Sequence, residues 1–165
     1  MAEKPDVPEV RPPTVDDVRR ICRALEDAGA RYVLIGGFAV IAHGAGRFTK
    51  DIDLLVDDAP ENVARLKQGL RVLADNAAAG IADSDVRDYV VVRVADEVTV
   101  DLMGRACGLG YADIVMDAEG IDLGGVMVKV ASPRALIRTK DTKRPQDAID
   151  RAFLEGLMRE RDGRR

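Results

Sequence analysis

The chain has 165 residues, of which 47% are hydrophobic and 33% charged, with three Tyr, three Phe and no Trp, so a single domain with an aliphatic core burying roughly 70% of the unfolded surface is expected. Twenty-nine acidic residues against 25 basic ones leave a net charge of −4, which argues against a nonspecific electrostatic coat for nucleic acid. Two cysteines and one histidine exclude a disulfide framework and a clustered zinc site, and they turn attention to carboxylate or metal chemistry.

Pro5, Pro8, Pro12 and Pro13 fall in a charged N-terminal stretch, read as a flexible tail over residues 1–13, with one domain over 14–165. Nothing in that stretch resembles a signal peptide and no apolar run approaches the roughly 20 residues of a membrane span, so a cytoplasmic protein without membrane contact is expected. Thr14 with Asp17 three residues later is a variant capping box, and Val15, Val18, Ile21, Cys22 and Leu25 recur at helical spacing up to Gly29. This periodicity places Cys22 in the core. Tyr32 to Ile35 reads as a buried strand, broken by Gly36-Gly37, with a helix from Phe38 to His43. His43 is read as a structural helix end.

Asp51 to Val56 reads as the next strand, and Pro60 opens a helix with Val63, Leu66, Leu70 and Leu73 on one face. Tyr89 to Val94 and Val98 to Met103 form an expected hairpin about Ala95-Asp96-Glu97. Ile114 to Met116, Ile121 to Leu123 and Val126 to Val130 are shorter strand candidates. Ser132-Pro133 supplies an N-cap with Pro at the first helical position, and Pro145 starts a last helix through Leu157. The expected fold class is therefore α/β (α+β), a mixed sheet flanked by helices, with basic C-terminal helices.

The chemistry starts from Asp51-Ile52-Asp53. On a strand, alternate residues share a face, so the two carboxylates lie side by side while Ile52 and Leu54 turn inward. Two negative charges about 5 Å apart repel by around 3 kcal/mol at an effective dielectric near 20, and a divalent cation relieves them. Asp101, between Val100 and Leu102 on the later strand, can face the same side of the sheet. Three hard oxygen ligands suit Mg²⁺ bound jointly with substrate phosphates. Gly36-Gly37 lets backbone N–H groups approach an anion at a helix start. Together these features describe a triphosphate held as its metal complex.

The run Gly36-Gly37-Phe38-Ala39, His43-Gly44, Arg47, Thr49 and Asp51-Ile52-Asp53-Leu54 resembles the signature of the nucleotidyltransferase superfamily with the DNA polymerase β fold. The segment Leu136 to Lys140 followed by Arg144-Pro145-Gln146-Asp147 is similar to the basic helix of small AbiEii-type members, and minimal (MNT-like) nucleotidyltransferases are comparably short. The resemblance implies a polymerase β palm-like fold, with Asp51, Asp53 and Asp101 binding two Mg²⁺ or Mn²⁺ ions. It further implies transfer of an NMP from an NTP such as ATP to a hydroxyl acceptor, with loss of pyrophosphate. Gly36, Gly37, Arg47, Thr49, Lys50, Lys140 and Arg144 are the implied nucleotide-binding residues, with Lys143 read as a solvated helix residue. Many members carry Ser where this chain has Gly37, so that contact falls to the backbone or to Arg47, Thr49 or Lys50. Asp85 and Asp88 precede a strand and are read as surface residues.

RNA such as a tRNA end, a protein or a small molecule can each present the acceptor hydroxyl. The resemblance also admits a toxin–antitoxin setting with a cognate partner protein. The alternative is a catalytically silent protein of this fold serving as a binding or regulatory partner, against which three retained, mutually repelling carboxylates argue.

Overall fold

The computed structural model describes residues 10–165. Helix α1 spans Val15–Asp27, β1 Tyr32–Ile35, α2 Gly36–Ala42, β2 Asp51–Val56 and α3 Pro60–Leu70. A 3₁₀ turn at Ala77–Gly80 and the short α4 at Asp85–Asp88 lead to β3 (Val92–Ala95) and β4 (Thr99–Met103). Then come β5 (Arg105–Ala106), β6 (Leu109–Gly110), α5 (Tyr111–Val115), β7 (Glu119–Asp122), β8 (Met127–Val130), α6 (Pro133–Thr139) and α7 (Pro145–Gly163).

Six strands form one mixed sheet in the order β3-β4-β2-β1-β8-β7. Strands β2 and β4 are parallel, as are β1 and β8, while β1/β2, β3/β4 and β7/β8 are antiparallel. The two central strands are the most apolar: all four residues of β1 are buried, and so are Ile52, Leu54, Leu55 and Val56 of β2. This matches the expected mixed sheet flanked by helices. Helix α1 buries Val18, Ile21, Cys22 and Leu25, the predicted stripe apart from Val15, which opens the helix exposed, and packs on α3. Burial pushes the Cys22 thiol up from its ordinary range, so it stays a core thiol.

The expected tail falls, over residues 1–9, outside the described residues. From Arg11 onward the chain is tied down. The Arg11 guanidinium grips both oxygens of Asp17 at 2.7 Å and reaches Glu97 at 3.2 Å, while Thr14 N–H and its hydroxyl donate to Asp17. The Arg11 hydrogen bonds hold the Asp17 carboxyl well below the usual range.

Two sequence expectations are corrected. Ile114 to Met116 is not a strand, because Ile114 and Val115 lie on α5, where Tyr111, Ile114 and Val115 form an apolar i, i+3, i+4 face. Asp113 accepts from Gly110 N–H at 2.8 Å and starts that helix. Tyr89 to Val91 does not join the ladder. Val92 pairs with Leu102, so these residues would stand opposite Met103 to Arg105, where β4 hands over to the β5–β6 hairpin. They remain exposed, Val90 at 84%. The last helix also runs beyond Leu157, to Gly163, with Arg161 paired to Glu119.

Candidate functional site

Asp51 and Asp53 open β2, and their register against the parallel strand β4 sets Asp53 beside Asp101 and Asp51 beside Thr99. Alternation turns all three carboxylates to one face while Ile52, Leu54, Val100 and Leu102 are buried on the other. The result is a polar cleft of about 520 Å³, whose lining includes Gly36, Gly37, Arg47, Thr49, Asp51, Asp53, Asp101, Lys140 and Arg144. Nine of the ten residues expected at the site thus meet in one place. Lys50 does not: it is exposed and outside the cleft lining, in a bend just before β2.

The glycine pair is fitted to these residues. Gly36 follows β1 with φ +70°, and a Cβ there would stand 2.1 Å from Asp53 Oδ2. A Cβ on Gly37 would meet Thr49 Cβ and Oγ1 at 2.7 Å. The turn therefore presses against Asp53 on one side and the Thr49 hydroxyl on the other, which only glycine permits. Helix α2 behind it has just seven residues, so close backbone approach, more than a long helix dipole, is what the turn offers an anion. His43 caps the far end of α2 and its Nε2 lies 2.9 Å from the Ala131 carbonyl, the structural place expected of it.

Asp101 is 5% exposed, and Asp53 is held next to it. Burial, then the charges of Asp101 and Asp51, push Asp53 up to about 7 from 3.8, against the weaker pull of Lys140 and Arg144. Such crowding of carboxylates is a strong drive toward a cation. Arg93 on β3, which the sequence reading did not single out, answers part of it. Its Nε donates to Asp101 Oδ1 at 2.9 Å, and its Nη2 donates to Asp101 Oδ2 at 3.0 Å and Asp51 Oδ2 at 3.4 Å.

The opposite wall is also ion-paired. Lys140, at the end of α6 and 5% exposed, places Nζ 2.9 Å from Asp150 and 3.7 Å from Asp147 of α7. Arg47 shares Asp150. Burial alone would raise Asp150, yet hydrogen bonds from Lys140 and Gln146 outweigh it and hold the carboxyl below its ordinary value. Lys140 is therefore a positioned cation. Arg144 is the exposed partner, its side chain 76% exposed and its Nε 3.7 Å from Asp147 Oδ2. The sequence reading named Asp147 only as part of the basic-helix motif and did not single out Asp150, although their i, i+3 spacing on a helix following a basic segment was the available signal. Asp85 and Asp88 lie outside the cleft, with Asp85 accepting from Ala82 N–H at the start of α4.

Among the described residues, no group of three or more His, Cys, Asp or Glu side chains is gathered closely enough to cage an ion by itself. The donor set nevertheless fits Mg²⁺, which keeps several waters and needs only one or two carboxylates plus substrate phosphates. Asp51, Asp53 and Asp101 offer hard oxygens on neighbouring strands, beside a turn that admits phosphate.

The mixed sheet thus carries three carboxylates on adjacent parallel strands, beside a glycine turn and a cationic wall, the arrangement that the resemblance to nucleotidyltransferases implies. The family described as nucleotidyl transferase of unknown function (DUF2204) matches residues 14–162, and the chain belongs to that family. In structure it is similar to a protein of Thermotoga maritima described as a "putative nucleotidyltransferase", with a TM-score of 0.57, 15% identity, and coverage of 92% of this chain and 93% of that one. That likeness is one of fold. No curated protein sequence matches the chain. Among the described residues, no helix is long and apolar enough to cross a membrane.

Proposed function

We propose that the protein is a divalent-cation-dependent nucleotidyltransferase that moves an NMP from an NTP to a hydroxyl acceptor. The observation that carries this reading is the face shared by Asp51, Asp53 and Asp101 opposite the Gly36-Gly37 turn, within one cleft. The acceptor oxygen forms a bond to the α-phosphorus as the bond to the bridging oxygen breaks. Pyrophosphate leaves, and the hydroxyl proton passes to Asp101 or to solvent.

Asp51, Asp53 and Asp101 would hold two Mg²⁺ or Mn²⁺ ions, which supply charge stabilisation at the attacking and leaving oxygens. Gly36 and Gly37 admit the triphosphate to the backbone. Thr49 offers the hydroxyl that a Ser at the Gly37 position supplies in many members of the superfamily, since its Oγ1 lies 2.7 Å from where a Cβ on Gly37 would stand. Arg144, exposed and two-pronged, neutralises the β and γ phosphates. Lys140 and Arg47, clamped by Asp150, shape the wall and add positive field. An AbiEii-like toxin–antitoxin role belongs to this same proposal, with the acceptor being RNA, protein or a small molecule.

The test is incubation of the full chain with each α-labelled NTP, Mg²⁺ or Mn²⁺, and a cell lysate. Label transferred to a macromolecule or small molecule, and lost in Asp51→Asn and Asp101→Asn, supports the proposal. Calorimetry showing no cation-dependent binding of any NTP would overturn it in favour of a silent binding protein.

A further inference from the structure

Arg93 stands where the sheet register puts it, directly across from Asp101 on the edge strand β3. Its contacts are specific. One guanidinium engages both oxygens of Asp101 and one oxygen of Asp51, two of the three carboxylates assigned to the cation. The two ends of this bridge differ in freedom: Asp101 has 8% side-chain exposure, whereas the Arg93 side chain has 60%. A buried acid is fixed by its strand, while an exposed arginine on an edge can swing into solvent by rotating its own side chain.

A guanidinium and a divalent cation cannot comfortably share these oxygens. Both seek the same lone pairs, and at such separations their positive charges repel strongly. We infer that Arg93 and the divalent cation are alternative partners of Asp51 and Asp101, so that Arg93 sets the cation affinity of the site and must leave its fork for the cation to load. This rests on the cation-dependent reading above and adds to it a residue outside the expected ligand set. Arg93 keeps the carboxylates paired at low cation concentration, and loading carries the cost of breaking three charge-assisted hydrogen bonds.

The experiment titrates the full chain with Mn²⁺ alone, without nucleotide, following free Mn²⁺ by electron paramagnetic resonance. Wild type, Arg93→Gln, Arg93→Lys and Asp101→Asn are compared, with folding checked by circular dichroism. Arg93→Gln is expected to bind Mn²⁺ about tenfold more tightly than wild type, with Arg93→Lys between them and Asp101→Asn much weaker. A second readout needs no variant: phenylglyoxal labelling of Arg93 in wild type, mapped by mass spectrometry, should rise when Mn²⁺ replaces EDTA. Equal or weaker binding by a folded Arg93→Gln, or unchanged labelling at saturating Mn²⁺, overturns the role of Arg93 and leaves the cation site intact. No Mn²⁺ binding by wild type or any Arg93 variant overturns this inference, and only the further absence of Mn²⁺-dependent NTP binding by calorimetry overturns the cation reading itself.

Discussion

Replacing Asp53 with Asn should stabilise the protein when divalent cations are absent. In the folded chain the carboxyl is raised from 3.8 to about 7 by burial and by its two acidic neighbours. The unfolded chain releases this proton near its ordinary value while the folded chain retains it, so stability falls as pH rises between the two values and the loss is complete above the upper one. A difference of roughly three pH units corresponds to a penalty on the order of 4 kcal/mol at 1.36 kcal/mol per unit. Asparagine keeps the shape beside Gly36 and cannot ionise. Urea denaturation at pH 5 and pH 8 with EDTA should therefore show Asp53→Asn gaining about 2 kcal/mol or more over wild type at the higher pH, with a smaller gain at the lower. Added Mn²⁺ should narrow that gap by stabilising the wild type. Acids held low elsewhere, such as Asp17 and Asp150, affect both proteins equally and cancel in the difference. If the two proteins show the same pH dependence, or Asp53→Asn is the less stable at pH 8, the carboxylate crowding argued for the cleft is wrong.

Gly36→Ala should cost about 3 kcal/mol or more in urea denaturation, because the positive φ and the Asp53 oxygen both oppose a methyl group there. Gly29→Ala, at φ +69° with nothing within 4 Å, should cost about 1 kcal/mol and so isolates the backbone part. Lys140→Met leaves Asp147 and Asp150 without their shared buried ammonium and should lower stability by about 3–5 kcal/mol; adding Asp150→Asn should restore part of it in the same thermal melt. Asp17→Ala removes the acceptor of Arg11 and of both Thr14 donors, with an expected loss of about 2 kcal/mol at pH 7. Because the Asp17 carboxyl is held low, that contribution is present above 3.8 and fades as pH falls below it, so the variant and wild type should converge in acid.

How much of the site can be read from sequence depends on the range of the interactions that build it. Asp51 and Asp53 are legible because strand alternation is local: once Ile52 and Leu54 are assigned to the core, the carboxylates have only one face left. Asp101 follows by the same alternation. The partner of Asp101 does not. A hairpin centred on Asp96, as the expected strands imply, pairs Asp101 with Val91, whereas the observed register pairs it with Arg93. The shift of two residues preserves the face, so the face of Arg93 was accessible and its partner was not. The cause is distant in sequence: the Asp96 carboxylate accepts N–H groups from Asp75 and Ala77 as well as from Glu97, pinning the turn to the segment before the 3₁₀ helix. Lys140 carries the same lesson. Its position in a basic segment points to phosphate, but the crossing of α6 and α7 brings Asp147 and Asp150 onto it. Local periodicity thus yields which residues face the cleft, while their ionic partners are set by tertiary packing, and on the reading proposed above it is those partners, Arg93 above all, that would set how readily the carboxylates take up a cation.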